Sequence, residues 1–193
     1  MPPCYRQFRY VWQQMIADHR HLRVARILKL LKRVSKQTMG YTHYWRWNFT
    51  NSKLLDETWS RLVEDTKAIV KAADIPLCKS ATPGVPPVID VTNGIHLNGA
   101  DSDDYEDLFF HPELDRHHNE FCKTGERPYD VVVTAILLRA SMLFGSAITV
   151  SSDGHWADWQ SARYLISELW PEEEIECLFE SDEEDEDDES LLK

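Results

Sequence analysis

From Tyr129 to Phe144 the chain is apolar almost all the way round a helical projection. Such a segment cannot lie on a surface with one side in water. It has to be enclosed, so other elements must cover it from several directions. Pro128 suits the first turn of this helix, and Gly145 supplies a stop. The rest of the chain is therefore read for what could wrap a central helix.

A strand comes first. Between Tyr41 and Phe49 the odd positions are Tyr41, His43, Trp45, Trp47 and Phe49, and the even ones Thr42, Tyr44, Arg46 and Asn48. That alternation predicts a β-strand with one aromatic face. Asn51 or Ser52 caps the next element. Its face of Leu55, Trp59, Leu62, Val63, Thr66, Ile69, Val70 and Ala73 predicts an amphipathic helix to about Ala73. Four prolines and a glycine make residues 74–87 a loop. Val88–Val91, Thr92-Asn93-Gly94 and Ile95–Asn98 have the form of a β-hairpin, and Asn-Gly suits a type I′ turn. Short strands are expected at Leu108–Phe110, Glu120–Lys123 and Ala147–Val150. Asp153 is positioned to cap a last helix carrying Trp156, Trp159, Ala162, Leu165, Ile166 and Leu169.

Helices are too few to cross over between every pair of strands. The expected fold is α+β: a mostly antiparallel sheet of about five to six strands, packed on one face by about three helices. An added N-terminal helix and a disordered acidic tail complete it. The tail follows from charge. The formal net charge of −12 is unevenly spread: residues 1–38 carry nine Lys/Arg and one Asp, whereas residues 171–193 carry thirteen Asp/Glu and one Lys. Eight consecutive acids after Ser181 repel one another and offer no apolar face. The chain thus divides into a basic amphipathic extension (1–38), an α+β domain (39–170) and an acidic tail (171–193).

The 42% apolar content belongs to a globular chain. The acidic domain argues against a phosphate-tracking groove as its main purpose. The basic helix keeps open a docked helix, a mitochondrial presequence, or a membrane- or nucleic-acid-binding segment. Intramolecular pairing with the acidic tail is a further expectation, and Ser181 followed by acids resembles an acidophilic kinase site. Cys4, Cys78, Cys122 and Cys177 form no C-x-x-C pair. Reduced thiols and an intracellular place, cytoplasmic or nuclear, are expected. The sequence shows no uninterrupted run of about 18 apolar residues, so no membrane span is expected.

Four places could hold chemistry. Cys122 beside Lys123 could pair with a histidine as a nucleophile, or be a packed strand thiol. His111, His117 and His118 with Glu113, Asp115 and Glu120 are metal-capable, but their spacing matches no ligand pattern, and no metal or cofactor is expected. Ser151-Ser152-Asp153-Gly154 could bind an anion or simply cap a helix. The aromatic face of the first strand could stack a ligand or form core.

Gly40-Tyr41-Thr42-His43-Tyr44-Trp45, Asn98-Gly99, Phe121-Cys122-Lys123-Thr124 with Pro128-Tyr129-Asp130, and Ser152-Asp153-Gly154 occur in that order. Together, over Met39 to about Trp170, they resemble a family of small phage and bacterial proteins that begin Met-Gly-Tyr-Thr-His-Tyr. No activity is established for that family. The resemblance implies a domain start at Met39. Members carry a His-Glu pair where Tyr105-Glu106 stands here, which leaves that histidine without a counterpart.

The polar residues of these segments, His43, Asn98, Lys123, Asp130, Ser152 and Asp153, are candidates for one shared site. The leading expectation is a binding or interaction domain. The alternative is a hydrolase or transferase using Cys122 or Asp153 with His43 as acid/base, and Asn98, Lys123, Asp130 and Ser152 contacting the ligand.

Overall fold

The computed structural model describes residues 41–48, 53–80, 84–111 and 119–179. The basic extension, the caps Asn51 and Ser52, His117, His118 and the chain from Glu180 onward, with Ser181, lie outside the described residues. Seven strands and three α-helices are described: β1 (Thr42–Trp47), α1 (Lys53–Ala73), β2 (Leu77–Cys78), β3 (Val88–Asp90), β4 (Gly94–Gly99), β5 (Leu108–Phe110), β6 (Glu120–Lys123), α2 (Asp130–Phe144), β7 (Ile148–Ser152) and α3 (Gln160–Leu169). The fold is α+β, and every strand pairing is antiparallel.

Two sheets form instead of the single one expected. One has the order β6-β1-β7; in the other β4 pairs with β2, β3 and β5. Phe110 at the end of β5 links them, its ring 5.3 Å from that of Trp45, 5.1 Å from Trp47 and 6.2 Å from Trp59. Aromatic rings packed at such tilts and distances add to area burial. The alternation of β1 holds as expected: His43, Trp45 and Trp47 are buried, whereas Tyr44 and Arg46 are exposed.

Helix α2 is the enclosed element. Val131 through Ala140 are all buried, and α1, α3 and β7 pack around them. Each fully buried Leu, Ile or Val contributes about 1.5–3 kcal/mol relative to exposure. The stretch Asp130–Ala147 is long and apolar enough, by length and composition, to cross a membrane, but half of it is buried within the fold. Gly145, at φ +53°, ends the helix as expected.

The hairpin between β3 and β4 is present, but its turn is not type I′. That turn needs positive φ at both central residues, and here only Gly94 (φ +81°) has it. Three residues connect the paired Asp90 and Gly94. The Asp90 carboxylate accepts the amides of Thr92 and Asn93 at 2.9 and 2.7 Å, which organises the longer turn. These same bonds hold the Asp90 carboxyl below its ordinary range.

The segment 74–87, expected to be all loop, contains the two-residue strand β2, which pairs with β4. Two residues are too few to show a period. Asp153 does not cap the last helix. A turn at Trp156–Trp159 precedes α3, and its capping box is made by His155 and Asp158.

The chain expected to leave the domain at Trp170 continues across it. The Trp170 ring lies 4.1 Å from the guanidinium of the fully buried Arg139. Glu173 then pairs with Arg139 through both oxygens, at 2.5 and 3.1 Å, while Asp65 accepts from Arg139 Nε at 2.8 Å. Ile175, Leu178 and Phe179 pack on the core. A buried cation needs counter-charges, and these nine residues supply one of them.

Candidate functional site

Antiparallel register places three polar side chains in one row across the buried face of the smaller sheet. His43 pairs with Cys122 on β6 and with Ser152 on β7. Directly opposed residues share a face, so the imidazole stands between a thiol and a hydroxyl. The first turn of α2 brings Asp130 to the imidazole's other nitrogen.

The hydrogen bonds choose between these neighbours. His43 Nε2 lies 2.8 Å from Asp130 Oδ1, and His43 Nδ1 lies 3.0 Å from Ser152 Oγ. With the carboxylate accepting from Nε2–H, Nδ1 is left as an acceptor for the Ser152 O–H. Asp130 Oδ1 also accepts the Thr124 hydroxyl, and Ser152 Oγ accepts the Gly154 amide at 3.0 Å. His43 has no exposed surface, whereas Ser152 is half-buried and the Asp130 side chain is 19% exposed. The relay Asp130–His43–Ser152 therefore opens to solvent at both ends and is sealed in the middle.

Two aromatic rings fix the imidazole. Tyr41 meets it edge-on at 4.9 Å and Trp159 at 5.4 Å, with interplanar angles of 85° and 84°. The Tyr41 hydroxyl lies against Gly154, where an added Cβ would come within 2.2 Å of it, two residues past Ser152. Burial, then the nearby Asp130 and Asp158, push the Tyr41 phenol up, so it keeps its proton.

The remaining candidates divide. Asp153 flanks the site, but its carboxylate is occupied: Oδ2 accepts the Thr42 amide at 3.0 Å and Oδ1 the Tyr44 hydroxyl at 3.2 Å. Cys122 is fully buried, and its thiol is pushed up by burial and then by Glu106 and Asp130. Asn98 belongs elsewhere. Its amide donates to Asp107 Oδ1 and the Tyr105 carbonyl, and its oxygen accepts the amides of Gly99 and Tyr105. Asn98 thus clamps the 99–107 loop. Lys123 gives its backbone amide to Glu106 Oε2 at 2.9 Å, and its ammonium stands 5.7 Å over the Tyr105 ring. The Tyr105-Glu106 pair therefore braces β6. His96 bonds Asp107 at 3.0 Å in the same cluster as Asn98.

Three residues at the site were not singled out from sequence. Tyr41 and Thr124 stand inside the motif segments, two residues before His43 and one after Lys123. Trp159 ends the turn before α3, and nothing in its spacing connects it to His43. Among the described residues no group of three or more His, Cys, Asp or Glu side chains is placed to hold a metal ion. A groove of about 360 Å³ lies away from this site, between the end of α2 and the 173–178 segment. No family model, curated protein or solved structure matches the chain.

Proposed function

We propose that the domain is a serine-nucleophile hydrolase or acyl transferase acting at Ser152. The observation that supports this reading is the hydrogen-bonded relay from Asp130 through His43 to a half-exposed Ser152. In this mechanism the Ser152 proton passes to His43 Nδ1 as Oγ attacks an acyl carbonyl. Asp130 holds the tautomer and stabilises the imidazolium. The same proton then leaves on the departing alkoxide or amine, and a water deprotonated by Nδ1 releases the acyl group. The Tyr41 O–H, beside Gly154 and kept protonated by its surroundings, would serve as donor to the developing oxyanion. Asp130, Asp158 and Glu126 all act on Tyr41, and Asp153 flanks Ser152. That charge favours a neutral or cationic acyl substrate over a phosphorylated one.

The test uses an alkyl fluorophosphonate, which phosphonylates a reactive serine with loss of fluoride, together with neutral and cationic p-nitrophenyl esters. Wild-type protein gains the adduct on Ser152 and hydrolyses the esters. Ser152→Ala loses both, with turnover down by at least about a thousandfold. Turnover by the wild type no faster than buffer, or a fully active Ser152→Ala, rejects the hydrolase.

A second reading, a binding domain, is favoured by one feature. The outer face of the smaller sheet exposes Phe121 (56%) and Tyr44 (38%), with ring centroids 6.5 Å apart. A domain of this kind would retain its ligand when Ser152 is replaced and lose it on Phe121→Ser.

A further inference from the structure

Residues 170–179 do more than cover Arg139. Past Glu173 the chain returns toward β1, and the Phe179 ring reaches 5.1 Å from Trp159 and 5.9 Å from Trp156, edge-on to both. The same indole meets His43 edge-on at 5.4 Å. Phe179, Trp159 and His43 thus form a continuous stack from the last described residue to the buried imidazole.

How firmly Trp159 is held depends on what else touches it. Its ring is 1% exposed, and its Nε1 finds no hydrogen-bond partner among the described residues. Many buried indoles are anchored through that N–H. Here packing in the core sets the ring, and the aromatic rings packed on it are His43, Trp156 and Phe179. Trp156 sits at the start of the turn before α3 and is covered in turn by the Arg163 guanidinium at 4.7 Å. Of these three rings, Phe179 is the one supplied by the segment that follows α3.

We propose that the Glu173–Phe179 segment is a positioning strap: clasped to Arg139 through Glu173, it presses Trp159 against His43 and holds the imidazole in line between Ser152 and Asp130. Phe179 and Trp159 are positioning residues, since neither reaches the reacting atoms. The activity arm of this inference rests on the hydrolase reading above, whereas its structural arm does not. Small misplacement of an aligned catalytic group is costly in rate even when binding is intact. Loss of the strap would therefore lower kcat and leave KM in place.

The experiment follows the His43 ring Cε1–H resonance of the full chain by NMR, alongside ester turnover. Phe179→Leu keeps apolar volume and removes the ring edge. It shifts the His43 resonance and lowers kcat about tenfold at unchanged KM, and Phe179→Tyr restores both. Ile75→Val, a core substitution two residues past the end of α1, lowers the melting temperature and leaves the resonance in place. Should Phe179→Leu fail to fold, Glu173→Gln unclasps the strap and must give the same resonance shift. An unmoved His43 resonance in folded Phe179→Leu or Glu173→Gln overturns the strap. Absent Ser152-dependent turnover in the wild type rejects the hydrolase alone, and the resonance still decides the strap.

Discussion

His43 and Cys122 stand directly opposite each other on β1 and β6, both without exposed surface, yet the imidazole gives neither nitrogen to the thiol. Nδ1 goes to Ser152 and Nε2 to Asp130. The sulfur lies instead 3.6 Å from the Glu106 carbonyl. A Cys–His couple was the attractive possibility in the sequence, and the geometry makes the hydroxyl the imidazole's partner.

Alkylation should follow this arrangement. Cys177 is exposed, whereas Cys122 and Cys78 are buried with thiols pushed above their ordinary range, chiefly by burial. In native protein at pH 8, iodoacetamide should modify Cys177 and spare Cys78 and Cys122, with all three modified in denaturant. Peptide mass mapping of the two samples decides it. Prompt native labelling of Cys122 would show that the sheet is not closed as described.

Asn98 should matter for stability and not for chemistry. It is buried and satisfies two backbone amides, one carbonyl and one carboxylate. Asn98→Ala strands these groups and should cost about 3 kcal/mol in urea unfolding. The fraction that remains folded should label with fluorophosphonate at the wild-type rate. Slower labelling in the folded fraction would place Asn98 in the site after all.

The Glu173 carboxyl is held below its ordinary range, first by hydrogen bonding from Arg139, with burial opposing. A folded-state value depressed below the unfolded one contributes stability that is complete above the unfolded value, about 4.3 for glutamate. It is lost as pH falls through the depressed folded value. The difference in urea midpoint between wild type and Glu173→Gln should therefore be constant near neutrality and narrow below about pH 4. A gap that does not change down to pH 2.5 would show that the ion pair with Arg139 is not what holds the strap.

How far the sequence went is seen best in neighbouring elements. The strand β1 and the helix α2 were legible because period and composition act locally: five alternating aromatics, and a run with hardly a polar face. The α+β class followed from them. The pairing of strands into two sheets was not legible, because β1 takes its partners from residues about 80 and 105 positions later, and no local pattern records that choice. Arg139, the lone cation of that run, went unread, although a buried cation requires a counter-charge and so a further segment packed on α2. His43, Asp130 and Ser152 were recognised as polar residues of ordered motifs. Strand register brought Ser152 to His43 and the packing of α2 brought Asp130, while Asn98 and Lys123 went to a different cluster.

The position of β1 also bears on how the protein reaches this fold. It is the central strand of its sheet, and it precedes both strands that flank it by most of the domain's length. Its two edges cannot be paired until β6 and β7 have been made and brought back, and until then the strand that carries Trp45 and Trp47 stays open. Loop closure over such separations is slow, and an unpaired aromatic strand invites pairing with other chains meanwhile. Refolding from denaturant is accordingly expected to be slow for a domain of this size, with yields that fall as protein concentration rises.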